Sequence, residues 1–87
     1  MKIIRIGAIW CPGCLVMKKV WKNIMADYPD LDITELDLDM DKEEANKYEP
    51  GKVLPICIFL DDNDNELERL IGEVKEEVIR EKIEEYR

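Results

Sequence analysis

Histidine is absent from this chain of 87 residues, and cysteine occurs only three times. A structural zinc site takes four ligands, usually Cys and His in two clustered pairs, so these counts argue against one held within a single chain. Basic residues are scarce beside acidic ones: 13 Lys and Arg against 21 Asp and Glu leave a formal net charge of −8. That field repels phosphate backbones and anionic lipid head groups, which argues against nucleic acid and membrane surface as partners. No run approaches the roughly 20 apolar residues that span a bilayer. The start, Met1-Lys2-Ile3-Ile4-Arg5, reaches the first cysteine at position 11 without the apolar stretch and cleavage site of a leader, so a cytoplasmic address is expected. Repeats, low-complexity tracts and Pro/Gly/Ser linkers are missing as well, while the apolar fraction of 46% is ordinary for a folded chain. One compact domain over residues 1–87 is therefore expected, although a chain this short buries only about 60–65% of the surface it exposes when unfolded.

Two of the three cysteines lie three positions apart in Ile9-Trp10-Cys11-Pro12-Gly13-Cys14. Such a pair can be a redox couple, half a metal site or an inert disulfide. An odd number of cysteines in a reducing compartment weighs against a permanent disulfide, which leaves a catalytic or a metal role.

The surroundings of the pair follow from periodicity. Residues 2–9 alternate loosely and are rich in branched side chains, which predicts a strand ending at the cysteines. Val16, Met17, Val20, Trp21 and Ile24 then recur at helical spacing, so a helix of about four turns runs toward Tyr28-Pro29. Leu31, Ile33, Leu36 and Leu38 predict a second strand, and Lys42 to Tyr48 a short polar helix closed by Glu49-Pro50-Gly51. Val53 to Leu60, the most apolar run, reads as a buried strand. Turn residues from Asp61 to Asn65 lead to its hairpin partner, Glu66 to Ile71, and Val74, Val78, Ile79 and Ile83 mark a final amphipathic helix. The expected fold is α/β, a mixed four-stranded sheet flanked by three helices in the order β-α-β-α-β-β-α. The rows Val16, Val20, Ile24 and Val74, Val78, Ile83 are expected in its core.

A cysteine between a strand and a helix lies where the helix has unpaired amides and a positive dipole end. With Cys11 as N-cap, Pro12 falls at the first helical position, where its missing N–H costs nothing, and the amides of Gly13 and Cys14 point back at the sulfur. Helix N-termini and Cys-X-X-Cys motifs bring thiol pKa values from about 8.5 down to about 3.5–7.5. Cys11 is therefore the candidate nucleophile. Cys14, one turn further on, is placed to attack a mixed disulfide formed there.

Trp10-Cys11-Pro12-Gly13-Cys14 at a strand-to-helix junction, with Leu54-Pro55 opening a later strand, resembles the thioredoxin family. The likeness runs from Lys2 onward and takes in Tyr48 before the proline strand and Gly72 after the hairpin, without the family's extra N-terminal strand and helix. It implies a thiol–disulfide oxidoreductase that reduces protein disulfides through Cys11 and Cys14, as a monomer, with the redox-active disulfide in place of any bound cofactor and with a thioredoxin-reductase-like or other thiol reductase as second partner. It also implies that Pro55 is a cis-proline beside the two sulfurs, that the Leu54 backbone pairs with substrate, and that Trp10, Pro12, Gly13 and Gly72 border the docked chain, Trp10 beside an exposed thiolate.

The departures are specific. Thioredoxins usually have Gly-Pro between the cysteines; this chain has Pro-Gly, so whether it reduces, oxidises or isomerises is left open. The family's buried Asp, six residues before the first cysteine, is replaced by Arg5, and its companion Lys by Glu35. A charge-reversed Arg5–Glu35 pair with Glu35 as proton acceptor for Cys14 stands beside the plainer reading that both are solvated surface charges. A glutaredoxin-like, glutathione-linked reductase is the alternative within the same fold, but the usual lysine before the first cysteine is missing and Ile71-Gly72-Glu73 has one glycine. A non-enzymatic module that shares a metal between chains through Cys11 and Cys14, or senses redox state, is the alternative outside it.

Cys57 is expected to be a small core residue. Asp61-Asp62-Asn63-Asp64-Asn65 and Asp37-Leu38-Asp39-Met40-Asp41 imitate the start of a calcium loop. Glu66 and Lys42 occupy the required glycine position, however, and Gly72 and Tyr48 that of the bidentate glutamate. Both runs are read as turns and helix starts.

Overall fold

The computed structural model describes all 87 residues. Elements follow in the order β1 (Lys2–Gly7), α1 (Pro12–Asp27), β2 (Asp32–Asp37), α2 (Lys42–Asn46), β3 (Ile56–Leu60), β4 (Glu66–Ile71) and α3 (Glu76–Tyr86). The strands form one sheet in the order β2-β1-β3-β4. β1 pairs parallel with β2 and antiparallel with β3, and β3 pairs antiparallel with β4. This is the mixed four-stranded sheet with three helices that the periodicity predicts.

The two central strands explain the apolar runs. β1 and β3 are hydrogen-bonded on both sides, so their alternate side chains enter opposite faces of the sheet and both faces are covered. On one face Ile3, Cys57 and Phe59 pack with Met17, Trp21 and Ile24 of α1 and Ile79 and Ile83 of α3. On the other, Ile4, Ile6, Ile56, Ile58 and Leu60 pack with Leu36 and with Ala45 of α2. All five residues of β3 are buried, which is why no polar alternation shows there.

Several boundaries differ from expectation. β1 stops at Gly7 instead of Ile9, because the chain turns at Ala8, whose carbonyl accepts from Cys11 N–H at 3.1 Å, and Ile9 swings into solvent. β3 starts at Ile56 instead of Val53: Pro55 has no N–H to give a ladder, and the Leu54–Pro55 peptide bond is cis. α2 ends at Asn46 and unwinds through tighter turns, in which Lys47, Tyr48 and Glu49 donate to carbonyls three residues back. α3 starts at Glu76, leaving Val74 outside it. Val16 is exposed instead of buried; the row of α1 that meets the sheet is Met17, Trp21 and Ile24. The two acidic runs are turns. The Asp37 carboxylate accepts from the backbone of Asp39 and Met40, and the Asp61 carboxylate from that of Asn63 and Asn65. No helix is long and apolar enough to cross a membrane.

Candidate active site

Cys11 caps α1. Its backbone is extended (φ −91°, ψ 111°), Pro12 is the first helical residue, and Cys14 N–H donates to Cys11 Sγ at 3.2 Å. The sulfur thus faces the end of the helix where unpaired amides favour negative charge. Of the two amides expected to point at it, only that of Cys14 makes the bond. Cys11 is 5% exposed, a correction to the exposed position expected. Its neighbour carries the exposure instead: Trp10 is 63% exposed, and its indole N–H donates to Asp39 Oδ2 at 2.7 Å. That bond fixes the ring against the turn after β2.

Cys14 lies one helical turn on and is half-buried. Its sulfur rests on the backbone of Gly7, where an added Cβ would come within 2.9 Å of Sγ. Burial and a hydrogen bond with Cys11 push the Cys14 thiol up to about 11, while a hydrogen bond from the Ala8 backbone and the charge of Arg5 pull it down. Cys11, Cys14 and Cys57 are all free thiols. Two thiols one turn apart at a helix start can exchange bonds: a disulfide formed by the first is open to attack by the second.

The loop before β3 and the turn after β4 close the rim. A Cβ on Gly13 would lie 3.3 Å from Pro55 Cδ and 3.2 Å from Glu73 Cγ, so α1 begins packed against the cis-proline and the chain after the hairpin. Gly72 takes a left-handed φ of +81°, and its N–H donates to the Pro55 carbonyl at 2.7 Å. Leu54 has no intramolecular backbone hydrogen bond and leaves its peptide groups free at the edge of the site. The structure therefore brings Pro55 and Gly72 to the cavity that Cys14 lines, with Gly13 packed against Pro55, Leu54 next to it in the chain, and Trp10 and Pro12 flanking Cys11. Gly7 and Glu73 were not among the residues singled out from sequence. A lone glycine closing an apolar strand was the available signal for Gly7, since such glycines mark close approach.

Arg5 is not a solvated surface charge. Its side chain is 15% exposed, its guanidinium carbon lies 4.8 Å from the centre of the buried Trp21 ring, and Nη1 lies 3.7 Å from Glu35 Oε2. Arg5 pairs in register with Glu35 on one side and Cys57 on the other. Burial pulls its pKa down, opposed by Glu35, Cys57 and Cys14. Glu35 is its opposite, 75% exposed. Cys57 is a core residue, its thiol pushed up to about 12 by burial. A cavity of about 570 Å³ joins Cys14, Arg5, Trp21, Cys57 and Glu35. No group of three or more His, Cys, Asp or Glu side chains is placed to hold a metal ion.

Known proteins are similar to this chain in sequence and in fold. A thioredoxin of Chlamydia pneumoniae is 28% identical over 65 residues, 75% of this chain and 62% of its own length. Thioredoxin H5 of Oryza sativa subsp. japonica is 28% identical over 70 residues, 80% of this chain and 50% of its own. The chain thus spans between half and two thirds of these curated relatives. The solved structure of thioredoxin NaTrxh from Nicotiana alata superposes with a TM-score of 0.84 at 28% identity, covering 99% of this chain and 74% of that one. The sequence profile of the family described as Thioredoxin matches residues 1–85, a span that holds both sheet faces and every residue of the site just described, and the chain belongs to that family.

Proposed function

We propose that the protein is a thiol–disulfide oxidoreductase that reduces disulfides in other proteins. The observation that carries this is the placement of Cys11 Sγ at the start of α1, receiving the Cys14 N–H at 3.2 Å, with Cys14 one turn away as the second thiol. Cys11 attacks a substrate disulfide, a mixed disulfide forms and one substrate thiolate leaves. Cys14 then attacks Cys11 Sγ; the Cys11–Cys14 bond forms as the mixed disulfide breaks, and the second substrate sulfur departs with the electron pair. Two electrons pass from the pair to the substrate, and a thiol reductase returns them.

The unpaired backbone of Leu54 is the edge on which an extended substrate segment would lie, bordered by Trp10, Pro12, Gly13, Pro55 and Gly72. No bound cofactor is needed, because the sulfurs carry both electrons. The reading takes the protein as a monomer, and an odd number of cysteines suits a reducing compartment such as the cytoplasm.

The test is equilibration in thiol redox buffers followed by alkylation of free thiols. A reversible couple assigned to Cys11 and Cys14 is expected, together with trapping of a stable mixed disulfide by Cys14→Ser and loss of all trapping in Cys11→Ser. A potential near about −270 mV marks a reductase, and one of about −120 to −180 mV an oxidase or isomerase. If no reversible couple forms, the reading fails.

A further inference from the structure

The geometry points to Arg5 as the positioning residue for the second half of the reaction: its guanidinium, lining the same cavity as Cys14, stabilises the Cys14 thiolate while the proton departs to solvent through that cavity. This rests on the reading of Cys11 and Cys14 as the reacting pair. In balance, the Cys14 S–H gives its proton to water, and the thiolate bonds to Cys11 Sγ. The bond between Cys11 and the substrate sulfur breaks, and that sulfur leaves with the electron pair and takes a proton from solvent.

Three observations support it. Arg5 is fixed, not merely near: its side chain is 15% exposed, stacked 4.8 Å from the Trp21 ring centre and tethered to Glu35 at 3.7 Å. It shares one cavity with Cys14, and its charge acts on that thiol against the burial that holds it protonated. A guanidinium keeps its proton in proteins and so serves as a fixed cation, never as a base. Glu35, the carboxylate that could serve as one, is turned outward at 75% exposure and is not among the groups that shift Cys14.

The other charged or titratable groups around the cavity are Lys18 on α1, Glu35 and Asp37 on β2, Asp41 before α2, and Cys57 on β3, with Cys11 at the start of α1. Lys18, Glu35 and Asp41 are exposed, so the cavity opens toward water on their side. Cys57 faces Arg5 as well, but it is 6% exposed and its thiol is pushed up to about 12. The charge of Arg5 favours either thiolate, and Cys14 is the one with a reacting partner, Cys11, one helical turn away.

The experiment is stopped-flow release of thionitrobenzoate from dithionitrobenzoate, in a Cys57→Ala background. The first equivalent reports attack by Cys11 and the second reports resolution by Cys14. Arg5→Met is expected to slow the second phase by up to about threefold at pH 7–8, since one unit in the Cys14 pKa lowers the thiolate fraction tenfold while the more basic sulfur recovers part of the rate as a better nucleophile. The first phase should stay within about twofold, and Arg5→Lys should recover most of the loss. Glu35→Gln frees the cation of its counter-charge and should leave the second phase unchanged or faster. A slower second phase in Glu35→Gln would make the carboxylate the proton acceptor and overturn the proposal. An unchanged second phase in a folded Arg5→Met, checked by circular dichroism, would overturn it equally. Should Arg5→Met fail to fold, Arg5→Lys and Glu35→Gln decide by the same signs. Failure of the underlying reading looks different: with both thiols present the second phase would then scale with reagent concentration, and the protein would end with two thionitrobenzoate adducts by mass in place of a Cys11–Cys14 bond.

Discussion

A glycine whose missing side chain is filled by a neighbour's sulfur sets a narrow tolerance. At Gly7 a Cβ would lie 2.9 Å from Cys14 Sγ, a separation that forces the thiol to move. Gly7→Ala is expected to leave the first attack by Cys11 intact and to slow closure of the Cys11–Cys14 bond by up to about a hundredfold, the cost of misplacing a reacting group by about an ångström. Separate measurement of the two release phases checks it; equal slowing of both would show a general disturbance of α1. At this scale the two cysteines were legible in the sequence because their chemistry lies in atom type and spacing. Arg5 and Gly7 were harder to read. Whether an arginine is solvated or held inside depends on what packs against it, and here that is Trp21, 16 positions away on another element.

The helices hold to the sheet through few residues, so each one counts. α3 buries Ile79 and Ile83 completely against the face that also carries Phe59 and the α1 row, and Tyr86 adds a tilted ring contact to Phe59 at 5.9 Å. Ile83→Ala is expected to cost about 2–5 kcal/mol, a large part of the roughly 5–15 kcal/mol that holds a native domain together. Urea denaturation should show a lower midpoint with an unchanged slope. Element type and order were readable because the periods of helix and strand differ. The ends were less so. Pro55 pushed the start of β3 past Val53 and Leu54, and the turn at Ala8 removed Ile9 from β1; both are decided by backbone hydrogen bonds that hydrophobic pattern does not encode. Val16 shows the same limit inside α1, where two adjacent apolar rows competed and the one with Trp21 and Met17 met the sheet.

Across the whole molecule, burial of thiols ties stability to alkaline pH. Cys57 is held protonated up to about 12, against an ordinary value near 9.0. A pKa raised by folding contributes stability that is complete below the unfolded value and fades as pH climbs toward the folded one. Stability should therefore fall from about pH 9 upward, by about 1.4 kcal/mol per pH unit for one such group. Cys57→Ala, though less stable at neutral pH, should show a shallower decline over that window in denaturation midpoints taken at each pH. A parallel decline would mean that Cys57 titrates alike folded and unfolded. Cys14, raised to about 11, contributes in the same direction, and forming the Cys11–Cys14 disulfide removes its share. The oxidised protein should accordingly resist base better than the reduced one.

The two indoles lie in opposite surroundings: Trp10 outside, 63% exposed and bonded to Asp39, and Trp21 inside at 3% beneath the guanidinium of Arg5. The chain holds only these two. It thus carries two built-in optical reporters in different surroundings, the water-facing one open to a soluble quencher and the other shielded. Quenching of the first would follow a docking chain, and emission from the second would follow the charge held in the interior, so a single unlabelled sample could time the two halves of a turnover separately.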